Sequence, residues 1–190
     1  MLRIGVIGQS GDIPDDMKSL AIQIGREIAR KGAVLFTGGT TGVMEGCCRG
    51  AREAGGLVVG FLPGDTLEMA NGFIDIPITT GLAFDYRSSV MIHSSDAVIM
   101  IGGGNGTLGE LSCAYLNKKP VVILESSGGW ASKVRQFAFE GIYMDDRRNI
   151  KLDFAFDAEE AVELAVSRAS ESKGRNLHAR YNGADGYSKE

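Results

Sequence analysis

Three glycine-bearing turns follow short apolar runs, and their residue types are those that cradle phosphate. They are Gly8-Gln9-Ser10-Gly11, Thr37-Gly38-Gly39-Thr40-Thr41-Gly42 and Gly102-Gly103-Gly104-Asn105-Gly106-Thr107-Leu108-Gly109-Glu110. A glycine-rich turn that leads into a helix points backbone N–H groups at an anion, and each missing side chain lets a ligand come closer. Any single turn of this kind also serves plain strand-to-helix geometry. Three together, two of them carrying threonine hydroxyls, point to a phosphate or nucleotide site. Its expected lining is Gly8, Gln9 and Ser10 from the first turn, and Gly38, Gly39, Thr40, Thr41 and Gly42 from the second. Gly103, Gly104, Asn105, Gly106 and Thr107 complete it from the third.

Two charged residues accompany these turns. Glu110 would project from the first turn of the helix after the third glycine run, where it has two readings. It is either a carboxylate facing the ligand or the partner of Thr107 in a capping box, Thr107-x-x-Glu110. Arg87 lies in the helical segment before the next apolar run and either points to water or turns toward the same edge, where its planar fork would clamp a phosphate bidentately. A competing pattern overlaps: Gly104-Asn105-Gly106-Thr107-Leu108-Gly109 fits GxGxxG, and Glu125 stands where a dinucleotide fold places a ribose-binding acid.

The elements that must hold these residues are legible as alternating apolar runs and helical patterns. Strands are expected over Arg3 to Gly8, Ala33 to Phe36, Leu57 to Phe61, Ile74 to Thr79, Ala97 to Ile101 and Val121 to Leu124. Several lack polar alternation, as strands buried on both faces do. A first helix carries Met17, Leu20, Ala21, Ile24 and Ile28 on one face, between Pro14 and Gly32. Further helices are expected over Gly42 to Ala54, Phe84 to Ser94, Thr107 to Asn117, Trp130 to Phe139 and Ala158 to Ala169. The expected fold is a three-layer α/β Rossmann-like domain, with a central, mainly parallel sheet and helices on both faces, over residues 1–169. Residues 170–190 read as a polar tail.

Composition excludes several function classes. With 190 residues and a net charge of -4, the chain has no basic stripe for nucleic acid and no apolar segment long enough for a bilayer, so a cytoplasmic protein is expected. Three cysteines, two of them adjacent at Cys47 and Cys48, and two isolated histidines, His93 and His178, give neither a disulfide framework nor metal-ligand spacing, and no metal is expected.

The chain resembles the LONELY GUY-like family, often labelled lysine decarboxylase-like, in the branch that includes molybdenum-cofactor carrier proteins. The resemblance spans roughly Arg3 to Ala169. It rests on the family pattern PGGxGTxxE, present from Gly102 to Glu110 with glycine for proline, and on a GGxxG(L/V)M turn, present as Gly38-Gly39-Thr40-Thr41-Gly42-Val43-Met44. In members that hydrolyse nucleoside 5′-monophosphates to free base and ribose 5-phosphate, an arginine and the terminal glutamate belong to the site. These match Arg87 and Glu110, which the resemblance makes the catalytic candidates. Hydrolases resemble MHxRK around the arginine, whereas this chain has Phe84-Asp85-Tyr86-Arg87-Ser88, which also suits a carrier that holds a phosphorylated pterin uncut. The resemblance further implies a homo-oligomer, dimer or higher. No lysine sits in the turns to anchor pyridoxal, so lysine decarboxylation is not expected. The expected function is therefore phosphate-anchored binding of a small phosphorylated ligand. The alternatives are a phosphoribohydrolase and a molybdenum-cofactor carrier. No cofactor is required, and the bound molecule is a nucleotide or the molybdenum cofactor.

Overall fold

The computed structural model describes residues 1–182. In chain order its strands are β1 (Arg3–Gly8), β2 (Val34–Thr37), β3 (Val58–Leu62), β4 (Ile76–Thr79), β5 (Ala97–Ile101), β6 (Val121–Leu124) and β7 (Leu152–Ala155). Its helices are α1 (Asp15–Arg30), α2 (Val43–Glu53), α3 (Phe84–Ser94), α4 (Asn105–Leu116), a single turn α5 (Val134–Phe137) and α6 (Ala158–Asn182). The strands form one sheet in the order β4-β3-β2-β1-β5-β6-β7, with every neighbouring pair parallel.

This order follows from the apolar runs. All five residues of β5 and all four of β6 are buried, so these strands need a helix layer on each face. One layer packs α1, α2 and α6 against the sheet through Ile24, Ile28, Cys47, Ala161 and Val162. The other packs α3, α4 and α5 through Met91, Ile92, Leu111, Tyr115 and Val134. Each fully buried Ile or Leu side chain contributes roughly 1.5–3 kcal/mol to holding its layer in place. Among the described residues no helix is long and apolar enough to cross a membrane.

The chain starts in the middle of the sheet, builds outward to β4, then returns to pair β5 with β1 and builds the other way. Crossovers therefore diverge between β1 and β5. At such a switch point the loops beyond the strands' carboxyl ends part and leave a crevice. The first and third glycine turns follow these two strands.

Four differences from expectation stand out. The helix expected over Trp130 to Phe139 shrinks to α5, because the Trp130 and Ala131 N–H groups donate to Gly103 and Gly102 carbonyls (both 3.0 Å) and Phe139 pairs with Tyr143 instead. β7 was not foreseen: it is short and carries Asp153, whose charge is taken up by Arg168 at 2.8 and 2.9 Å. Helix α6 does not stop at Ala169 but runs on to Asn182, inside the segment expected as a tail. Residues 183–190 of that tail lie outside the described residues. The strand expected from Ile74 begins at Ile76, and as an exposed edge strand it tolerates Pro77.

Candidate functional site

The third glycine turn is held from below. Gly102 and Gly103 have positive φ (54° and 95°), a conformation that side chains disfavour, and the Gly102 N–H donates to Ser127 Oγ at 2.7 Å. With Trp130 and Ala131 bound to the same peptides, the turn enters α4 at Asn105. No side chain caps α4, whose N-cap is Gly104, so its first-turn N–H groups are left for water or an anion. The capping box does not form, since α4 starts two residues before Thr107, which is buried at the third helical position. Glu110 is thereby free of that role. No protein atom lies within 4 Å of where a Cβ would stand on Gly104 or Gly106, and neither has positive φ. Nothing in the fold requires glycine at these two places.

The second turn is joined to the first. The Val43 N–H donates to the Gln9 carbonyl (3.1 Å), and the Gly11 N–H donates to the Thr41 hydroxyl (3.0 Å). Gly42, at φ 68°, faces the Gln9 carbonyl so closely that a Cβ would reach 2.5 Å. Thr41 and Gly42 thus bind the two turns to each other. On the other side Asn71, in the β3–β4 connection, clamps the turn: its amide donates to the carbonyls of Gly39 (3.1 Å) and Thr40 (2.8 Å), while its Oδ1 accepts from the Phe73 N–H (3.0 Å).

Arg87, on the first turn of α3, swings inward instead of into water. It is 3% exposed, its guanidinium lies against Gly38 where any Cβ would overlap it, and it stands 5.7 Å from the Phe84 ring centroid. Among the described residues it makes no ion pair and no side-chain hydrogen bond, and its buried Nε is unsatisfied. The only other buried side-chain polar atom without a partner among them is Thr37 Oγ1, next to Gly38. Burial lowers the Arg87 pKa, partly offset by the Glu110 charge. Glu110 is half-buried, and burial raises its pKa, opposed by Ser88 and Arg87 and reinforced by Asp85.

A cavity of about 250 Å³ unites these groups. Gly8, Gln9, Ser10, Thr40, Arg87, Gly104, Gly106, Thr107 and Glu110 all line it, so residues from three separate turns and α3 meet at the switch point. Gly38 and Gly39 lie behind its wall, with Gly39 packed on Leu62 and Ile74. Gly103 backs onto the Thr107 side chain, and Asn105 is exposed at the head of α4. Met44, Phe84, Asp85 and Ser88 also line the cavity and were missed, although Phe84, Arg87 and Ser88 stand at i, i+3 and i+4 on α3. Glu125, the candidate ribose acid, is taken by Arg135 in a bidentate pair at 2.7 and 2.8 Å, and Arg135 stacks on Phe154.

The arrangement resembles known proteins of two kinds. The chain is 42% identical over 125 residues to an uncharacterised protein of Archaeoglobus fulgidus, covering 66% of this chain and 81% of that one. It is 32% identical to the cytokinin riboside 5′-monophosphate phosphoribohydrolase of Mycobacterium tuberculosis, over 60% of this chain and 65% of the enzyme. The chain spans less than two thirds of the length of the phosphoribohydrolases it matches. Among solved structures, the molybdenum cofactor binding protein of Rippkaea orientalis superposes with a TM-score of 0.75 at 35% identity, covering 87% of this chain and 96% of that one. With its family model matching residues 1–160, the chain belongs to the SLOG cluster4 family.

Proposed function

We propose that the cavity binds a small phosphorylated ligand, with the phosphate held between the Arg87 guanidinium and the uncapped N-terminus of α4. One observation carries this reading: among the described residues Arg87 is a buried cation with no ion pair and no side-chain hydrogen bond. Burying an unpaired charge is costly, and the cost is recovered when a dianionic phosphate supplies the missing acceptors. The open faces of Gly104 and Gly106 give that phosphate room to reach the backbone, and Gly8, Gln9, Ser10 and Thr40 close the opposite wall.

A second reading is N-glycosidic hydrolysis of a nucleoside 5′-monophosphate, favoured by Glu110 beside Arg87 in the same cavity. There Glu110, as a carboxylate, would stabilise the oxocarbenium-like charge that develops on the ribose, and Arg87 would anchor the phosphate. A third, a carrier of the molybdenum cofactor, uses the same anchor without chemistry and is supported by the Rippkaea orientalis likeness. We place the protein in the cytoplasm as a homo-oligomer. Tyr86, 70% exposed, with Val90 one turn on, gives α3 an exposed apolar face next to Arg87 for a second copy.

Calorimetry with AMP, GMP and CMP, chromatography of the products, and thermal shift with molybdopterin separate these readings. Free base that vanishes in Glu110→Gln marks a hydrolase. Binding without base release marks a carrier. Phosphorylated ligands that bind equally well to Arg87→Ala would sink the phosphate anchor.

A further inference from the structure

The cavity at Arg87 does not end at Thr40. It shares Ser10, Thr40 and Phe84 with a neighbouring hollow of about 530 Å³, whose far side holds Glu45, Glu68, Met69 and Asn71. A ligand anchored at Arg87 therefore has an open path past Phe84 into this second space. Phe84 and Met69 are each 48% exposed, and one aromatic face with one thioether is a surface on which a planar ring stacks.

Charge decides the edge of that ring. No lysine or arginine lines the hollow, whereas Glu45 and Glu68 both do, so a second phosphate is repelled there. Glu45, in the first turn of α2, is half-buried and among the described residues has neither an ion pair nor a side-chain hydrogen bond. Arg49, one turn on, is taken by Glu53 at 2.7 Å. An ionised carboxylate only accepts hydrogen bonds, so the ring must present donors to it, and two adjacent N–H groups satisfy both oxygens.

We infer that this hollow receives the ring of a phosphorylated ligand bearing a 2-amino-4-oxopyrimidine edge, as in guanine or a pterin, read by Glu45 through the ring N–H and the exocyclic amino group. This rests on the phosphate anchorage at Arg87. Adenine turns one acceptor toward the carboxylate and hypoxanthine lacks the amino group, so both lose the paired contact. Glu45 is a specificity-determining residue, and it faces the ligand end opposite to Glu110.

Calorimetry of the full chain with GMP, IMP, AMP and 6-hydroxymethylpterin monophosphate tests the inference. Wild type is expected to hold GMP, the pterin phosphate or both at least about tenfold tighter than IMP and AMP, the discrimination of a good bidentate pair. Whichever binds tighter names the source of the ring. Glu45→Gln exchanges one acceptor for a donor, so it is expected to lose about tenfold in affinity for GMP and the pterin phosphate while AMP, whose N1 and amino group match an amide, binds as tightly or tighter. GMP, pterin phosphate and AMP of equal affinity in wild type, all lost in Arg87→Ala, would overturn the ring assignment and leave the phosphate anchor standing. Absence of binding by every phosphorylated probe would overturn both. The wild-type comparison needs no variant, so the inference is decided even where Glu45→Gln does not fold.

Discussion

Replacing Arg87 with methionine should make the protein more stable and less able to bind. The guanidinium is buried without an ion pair, and its charged form is disfavoured by that burial. Exchanging buried ionic groups for apolar side chains of similar volume stabilises proteins by about 1–4 kcal/mol. The Glu110 attraction and the Phe84 ring return part of that cost to wild type, so the expected gain is about 1–2 kcal/mol. For a chain of this size that is a rise of roughly 2–8 °C in the melting temperature without ligand. Binding moves the other way: each hydrogen bond to a charged group is worth about 1.5–3 kcal/mol, so losing even one weakens a phosphorylated ligand by roughly ten- to hundredfold. Scanning calorimetry of the free protein and titration calorimetry with GMP read the two effects separately. A variant that melts lower than wild type and binds GMP equally well would refute the reasoning, because it would make Arg87 a structural residue.

Other outcomes follow from single contacts. Burial raises the Glu110 carboxyl above its ordinary 4.5, so the folded state holds this proton more tightly than the unfolded chain. Its stabilising contribution is fully present below pH 4.5 and is lost as pH rises through the folded value. Glu110→Gln should therefore melt above wild type at pH 7 and converge with it toward pH 4.5; a gap that widens on acidification contradicts this. Gly106→Leu meets open space and should keep or slightly raise the melting temperature while abolishing binding of phosphorylated ligands, measured by thermal melt and calorimetry. Gly42→Ala forces a Cβ toward the Gln9 carbonyl at positive φ and should cost about 2 kcal/mol or more in denaturant unfolding. Asn71→Ala removes both carbonyl contacts to the second turn and should cost about 1–3 kcal/mol, with faster amide exchange at Thr40 and Thr41.

The layout was readable wherever one local signal was strong. The apolar runs located six of the strands, and α3 begins at Phe84 and ends at Ser94 as its pattern suggests. Arg87 was ambiguous because helical spacing does not say which way a side chain near the N-terminus of α3 turns. The deciding fact is long-range, the missing Cβ of Gly38 that opens a place for the guanidinium. Thr107-x-x-Glu110 misled in the opposite direction, since a capping box is a local pattern and the glycine run let α4 start earlier. Asn71 carried no signal at all: its role exists only because the β3–β4 connection folds back over the second turn. β7 escaped because Asp153 breaks an already short apolar run, and only its pairing with Arg168 makes the charge tolerable there.

Trp130 is the only tryptophan of the chain, and its peptide N–H is bonded to the Gly103 carbonyl while its ring meets Phe137 edge-on at 5.8 Å. The indole is therefore an intrinsic optical probe on a residue whose own backbone is hydrogen-bonded to the glycine turn that faces the ligand. Its half-buried ring emits according to local polarity and quenching, so movement of the glycine turn on filling or emptying of the cavity is read as a change in emission from the unlabelled protein. Rapid mixing with that signal gives the rates of capture and release, the quantities that separate a carrier built to hand its cargo on from an enzyme that keeps its substrate only for one turnover.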